Sequence, residues 1–264
     1  MTVRTAQASR GQLMLISVAS ALLFLIVWQA VTMTGMVSSL VLPSPVQVVQ
    51  RAADLVTSPY EGETLVGHAW ASLLIVTTAW LAAIVIGWPL GVWIGWSAGA
   101  SRVIGGIIEV VRPIPPVAWI PLALIWFGLA PTGKVFVVWL AAVIPCIINA
   151  QEAVRRVDPL TVSAGRVLGA SPLTILRTIV VPAALPFMLT GARISLGSAW
   201  MTLVAAELLA SVSGLGYMMQ AGRRNQLADV VVVGMLAVGL LGAATGLFLR
   251  WLEKRALPWA VEAR

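Results

Sequence analysis

The chain has 264 residues, 59% of them hydrophobic and only 10% charged, with a mean hydropathy of +0.96. A water-soluble domain carries about 45–50% apolar and about 25% charged residues, so a single soluble core is excluded and lipid is the expected solvent. The net charge of +7 would suggest nucleic acid in a soluble chain, but here the basic residues flank apolar runs, so they read as topology signals and no nucleic-acid partner is expected.

Six apolar segments are predicted in chain order, over about 13–34, 66–96, 103–129, 135–150, 184–210 and 230–250, against the about 20 residues that a helix needs to cross the hydrocarbon. The first follows Arg4 and Arg10 like a signal peptide. Its apolar run exceeds the roughly 7–15 residues of a cleavable one, which favours a retained anchor over cleavage. In LPSPVQVVQRAADLV, residues 42–56, Ser44 is an expected N-cap and Pro45 the first helical residue. Val46, Val49 and Ala53 would share one face of this short helix on the membrane surface.

Gly87, Gly91, Gly95 and Gly99 recur every fourth residue in the second segment. On a helix they form one smooth ridge against which another backbone packs. The third segment carries RPIPPVAWIP, residues 112–121. Its four prolines each remove an N–H donor and break the helical ladder. Such a break either sits as a kink deep in a bundle or lines a wet cavity. Arg112 stands beside it, so Arg112, Pro115, Pro116 and Trp119 are candidate pathway residues.

GLAPTGKV, residues 128–135, matches G-x-x-x-x-G-K-[ST] except that Val135 replaces the metal-binding hydroxyl. A working phosphate loop joins a strand to a helix. This one is predicted to join two membrane helices, so it reads as a Gly/Pro turn. The fifth segment contains Arg193, Ser198, Thr202 and Glu207. An ionisable group in a span faces a cavity or a partner charge. Arg193 is open to either role or to snorkelling, and Arg112 to pairing with Glu109 at i, i+3. Gly214-Leu215-Gly216 is too sparse for a nucleotide fingerprint. The single Cys146 makes an internal disulfide impossible, and with a single histidine no Cys/His zinc site is expected.

Six crossings put both termini on one side. With that side cytoplasmic, the outer segments hold only Arg51, Lys134, Arg223 and Arg224 of the 17 basic residues, and Arg112 and Arg193 fall within spans. This is the positive-inside pattern.

Residues 151–182, QEAVRRVDPLTVSAGRVLGASPLTILRTIVVP, are too polar to span and lie on the inner side. Pro159 opens a short helix ending near Leu168, Gly169 fits its C-cap, and Ser171 and Pro172 fit the start of a second helix. Leu173, Leu176 and Val180 then share a face. The result is a sharp elbow.

This segment resembles the EAA loop of permease subunits in ATP-binding-cassette importers, E-A-A, three residues, Gly, nine residues, Ile, one residue, Leu-Pro. Here Ser163-Ala164-Gly165 takes the E-A-A place with only the middle alanine kept, and Gly169, Ile179 and Val181-Pro182 are in register. RPIPPVAWIPLALIWFG, LGAS, LPFMLTGARISLGSAW and LVAAELL resemble runs of the subfamily that imports sulfonates, taurine, nitrate and related small anions. The resemblance covers about residues 60–255.

The resemblance implies an all-α membrane protein of six transmembrane helices with the type I ABC importer permease (MetI-like) fold. Residues 1–65 would form an anchor and periplasmic segment, 66–255 a permease core with the coupling loop at about 151–182, and 256–264 a cytoplasmic tail. It implies a bacterial inner-membrane location, a second copy of the chain, two cytoplasmic ATP-binding subunits and a periplasmic or extracellular substrate-binding protein. ATP and Mg would be bound in the partner subunits and no cofactor by this chain, which would itself be no enzyme. Ser163, Ala164, Gly165, Leu168, Gly169, Ala170, Ser171, Pro172 and Thr174 would couple it to the ATPases. The cargo implied is taurine or another alkanesulfonate; nitrate, bicarbonate, an aromatic acid or a pyrimidine precursor are the alternatives. An ion-coupled transporter or channel is the competing class from the residues alone.

Overall fold

Capping side chains and prolines set most helix ends. A computed structural model describes residues 10–35, 38 and 40–257 and is helical nearly throughout. The basic Arg4 and most of the expected 256–264 tail lie outside the described residues. The helices are α1 (Arg10–Met33), α2 (Pro45–Thr57), α3 (Leu65–Trp96), α4 (Ala98–Val111), α5 (Ile120–Phe127), α6 (Pro131–Arg155), α7 (Pro159–Val167), α8 (Pro172–Ile175), α9 (Val181–Leu209), α10 (Leu215–Arg224) and α11 (Ala228–Ala256). A 3-10 turn, Pro116–Trp119, precedes α5, and a π-helical stretch, Leu176–Val180, joins α8 to α9.

Five helical segments are long and apolar enough to cross a membrane, and α4 with α5 makes a sixth if a pair bent by 83° counts as one span. The expected third segment, 103–129, is therefore not one helix. Pro113, Pro115 and Pro116 cannot donate to the ladder, so α4 stops at Val111 and the chain turns before α5. The expected fourth segment, 135–150, runs on as α6 to Arg155, because the helix outlasts its apolar stretch through Asn149, Gln151 and Glu152.

The core is the bundle of α3, α6 and α9. Ile75, Val76, Ala79 and Ala83 of α3 meet Val138, Ala142 and Cys146 of α6 and Leu196, Ala199 and Leu203 of α9. Three glycines of the predicted ridge explain how close α3 and α6 come. A Cβ on Gly87 would lie 2.7 Å from Cys146 Cβ, one on Gly95 would lie 2.8 Å from the Gln151 carbonyl, and one on Gly91 would run into Ile147 and Ala150. Gly99 falls off the ridge, because Ser97 ends α3 and caps α4 by accepting from the Ala100 N–H.

Ser44 and Gln47 close a capping box at the start of α2. The buried stripe of that helix is Val48 and Leu55, packed against α10 and α11 through Leu215, Met218, Val230 and Val233. Val46 and Val49, expected on the membrane-facing side, are exposed. Helix α1 stands apart, with Leu15, Leu23 and Phe24 all exposed. Among its links to the rest, Trp28 packs beside the α2 cluster and its indole donates to the Pro43 carbonyl at 3.1 Å.

Candidate functional site

Two features are built from the broken helices. The first is a cavity of about 480 Å³ between the α4–α5 break, α6 and α9. Arg112, the C-cap of α4, stands at its edge. From α6 come Leu140, Ala141, Ile144, Pro145, Ile148 and Asn149, and from α9 Ile194, Ser198, Met201 and Thr202. Pro145 has no N–H, so the Ala141 carbonyl in the wall loses its helical donor, while the Asn149 amide donates to the Pro145 carbonyl at 2.8 Å. Asn149 lies over Gly191, where any Cβ would strike it. Thr202 is only 6% exposed.

A second, more polar cavity of about 330 Å³ adjoins it, lined by α4 and the end of α6. Arg102, Arg155, Glu109 and Glu152 line it, and Arg112 lines both. Arg155 is engaged by Ser101 at 2.8 Å and Glu152 at 3.8 Å. The alternative pairing of Arg112 with Glu109 does not form, and the Arg112 side chain has no hydrogen-bond or ion-pair partner among the described residues.

Of the sequence candidates for the pathway, Arg112, Pro116, Ser198 and Thr202 line the cavity and Pro115, Trp119, Arg193 and Glu207 do not. Trp119 packs with the Ile120 and Ala123 cluster, and the Pro115 carbonyl accepts from Ala118 at 2.9 Å. Arg193 is paired with Glu253 of α11. Glu207 is 1% exposed and faces Ser72 and the start of α10. Sequence reading missed Asn149, whose signal was an amide four residues after a proline inside an apolar run. It also missed the role of Gly214 and Gly216, which let the Glu207 carboxylate approach the backbone.

The second feature is the elbow. Asp158 caps α7 by accepting from Leu160 N–H at 2.9 Å. At the far end, Gly169 has φ +79°, and Gly169 N–H reaches the Arg166 carbonyl while Ala170 N–H reaches that of Gly165. This is a Schellman C-cap, which favours glycine at the left-handed position. Ser171 then accepts from the Thr174 N–H at 3.2 Å and caps α8. Gly165 lies under the corner, where a Cβ would come 2.9 Å from Ile179 Cδ1. Of the remaining coupling candidates Ala170 is partly buried, and Ser163, Ala164, Leu168, Gly169, Ser171, Pro172 and Thr174 are exposed. Val167 is 87% and Leu168 85% exposed. Two aliphatic side chains thus stand bare on the capped corner.

The stretch Gly128–Lys134 joins α5 to α6, with Gly128 at φ +64°. Lys134 is buried and donates to the Ser211 hydroxyl at 2.8 Å. Its ammonium ties α6 to the α9–α10 loop.

Residues 83–258 match the model of the binding-protein-dependent transport system inner membrane component. The chain belongs to that family. It is an ABC importer permease subunit. A taurine transport system permease protein of Escherichia coli, TauC, is 36% identical over 250 residues, covering 94% of this chain and 91% of that one. The nitrate import permease protein NrtB of Synechocystis is 34% identical over 239 residues, covering 89% and 86%. An inward-facing structure of the MetNI methionine ABC transporter superposes with a TM-score of 0.59 at 22% identity, covering 70% of this chain and 94% of that one. The permease fold is thus the MetI type, and the elbow and cavity both lie within the family-matched residues.

Proposed function

We propose that the chain is the membrane subunit, present in two copies, of an importer for taurine or another alkanesulfonate. Two cytoplasmic subunits would bind ATP and Mg and drive it, and a periplasmic or extracellular binding protein would deliver the cargo. No cofactor would bind to the permease itself. Both termini and the elbow would face the cytoplasm of a bacterial inner membrane.

The observation that carries this reading is the exposed apolar corner at Val167 and Leu168 on a doubly capped elbow. Capped helices transmit a displacement that a floppy loop would absorb. The ATPases would grip this corner, with Ser163, Ala164, Leu168, Gly169, Ala170, Ser171, Pro172 and Thr174 in or beside the groove and Gly165 holding the corner shut. Closure of the ATPase pair on ATP would draw the two elbows together and turn the cavity outward; hydrolysis would reset it.

The cavity supports a second copy. Met201 on its wall is strongly exposed, and an arginine open to hydrocarbon is costly. A second copy laid on this face encloses Arg112 in a shared pathway. The likeness to TauC favours taurine; the likeness to NrtB keeps nitrate as the second cargo within the same class.

The test is uptake into liposomes holding the chain, its ATPase and its binding protein. Labelled taurine should accumulate only with ATP inside the ATPase compartment. Accumulation that is equal without ATP rejects the importer reading in favour of a channel or an ion-coupled carrier.

A further inference from the structure

Several arginines of the chain are held by partners. Arg193 is paired with Glu253, Arg155 with Ser101 and Glu152, Arg51 with Asp229, and Arg156 lies 4.4 Å from the Phe187 ring centre. Arg112 has none of these partners among the described residues, and it is the one charged side chain lining both cavities. The larger cavity has no acidic residue in its wall; Glu109 and Glu152 line only the smaller one. A guanidinium without an ion-pair partner beside a low-dielectric wall makes the larger space attractive to an anion.

The rest of the wall has a different chemistry. Leu140, Ile144, Ile148, Ile194 and Met201 are apolar, and Asn149, Ser198 and Thr202 supply neutral hydrogen-bonding groups. Nitrate has nothing to place against the aliphatic side chains. An alkanesulfonate has an oxyanion head suited to a guanidinium fork and methylenes that gain roughly fourfold each on leaving water.

We propose that Arg112 is a cargo-contacting, specificity-determining residue, with the Ile144, Ile194 and Met201 side of the cavity selecting short organosulfonates over nitrate. This rests on the importer reading and adds that the permease, and not only its binding protein, discriminates among anions.

The test leaves out the binding protein so that its own selectivity does not enter. Cys146 is the single cysteine and is buried, so Cys146→Ser with Ser198→Cys gives one thiol on the cavity wall. The permease–ATPase complex is reacted with a small maleimide in the presence of taurine, propanesulfonate or nitrate at equal concentration. The two sulfonates should slow labelling at least fivefold more than nitrate does. Adding Arg112→Gln should abolish that protection and Arg112→Lys should keep part of it, with the melting temperature of the complex unchanged. Should Ser198→Cys disturb assembly, Met201→Cys, on an exposed position of the same wall, reports instead. Equal protection by nitrate, or full protection surviving Arg112→Gln, overturns the proposal. The outcome is separate from ATP-driven uptake by the unmodified chain, whose failure would instead remove the importer reading.

Discussion

The Ser72 hydroxyl on α3 lies 2.8 and 2.9 Å from the two carboxylate oxygens of Glu207 on α9. Ser72 also accepts the Leu215 N–H at 2.9 Å, and Glu207 accepts the Gly216 N–H at 2.8 Å. Gly214 has no capping side chain of its own, so Glu207 caps the start of α10 from a neighbouring helix, where a negative group suits the helix dipole. His68, fully buried, adds a third tie by accepting the Gly214 N–H at Nδ1 (3.2 Å) and donating from Nε2 to the Tyr60 carbonyl (2.9 Å).

Glu207→Ala should therefore destabilise the purified protein, at about 1–3 kcal/mol for each buried polar group left without its partner. Glu207→Gln, which keeps an acceptor for Gly216, should lose less. Gly214→Ala should be as harmful as Glu207→Ala, since a Cβ there collides with the carboxylate. Gly197→Ala, with open space around it, should match wild type or gain up to about 1 kcal/mol of helix propensity. Melting temperatures in one detergent give the ranking.

The glycine ridge makes a graded prediction. Gly91→Leu should prevent proper folding or cost well over about 1–3 kcal/mol, because backbone and Ala150 both block the site. Gly99→Ala and Gly106→Ala should be silent, having no close neighbour. The yield of monodisperse protein by size-exclusion chromatography separates the two sets.

The Arg193–Glu253 pair joins α9 to α11. A double-mutant cycle with Arg193→Gln and Glu253→Gln should give a coupling of about 0.5–1.5 kcal/mol, the range for polar contacts between membrane helices. Both single variants should retain uptake, since neither residue lines the cavity. Uptake abolished by either alone would return Arg193 to the pathway.

On the elbow, Leu168→Asp removes exposed apolar surface and touches no core residue, so folding should be intact while co-purification with the ATPase falls at least tenfold. Gly169→Ala forces a Cβ into the left-handed region at about 1–2 kcal/mol. It should loosen the corner and weaken coupling of ATP hydrolysis to uptake more than it weakens binding.

Local signals made the elbow legible in the sequence. Pro159, Gly169, Ser171 and Pro172 are each a boundary marker with a backbone reason, and all stand where expected. The four-residue glycine spacing showed for the same reason that another backbone packs on α3, though not which one, and failed at Gly99 because Ser97 ended the helix two residues earlier. Hydropathy placed the spans, and the prolines of residues 113–121 marked the break in the third although Ile114, Val117 and Trp119 keep that segment apolar. The assignment of polar groups was least legible. Arg112, Arg193 and Glu207 look alike in sequence, and only three-dimensional packing sends one to a cavity, one to Glu253 and one to the cap of α10. The inward-packing stripe of α2 was not legible because Val46 and Val49 are as apolar as Val48 and Leu55, and the partner helices α10 and α11, which decide between them, are far away in the chain.

The central claim is that the elbow moves under the action of a separate ATPase. Cys146→Ser with Leu168→Cys allows one spin label per copy, and pulsed electron paramagnetic resonance then gives the distance between the two elbows of the assembled importer. Binding of a non-hydrolysable ATP analogue should shorten that distance by several ångströms, and ATP hydrolysis should restore it. A distance that is the same in both nucleotide states, in complexes that carry out ATP-driven uptake, would contradict the account.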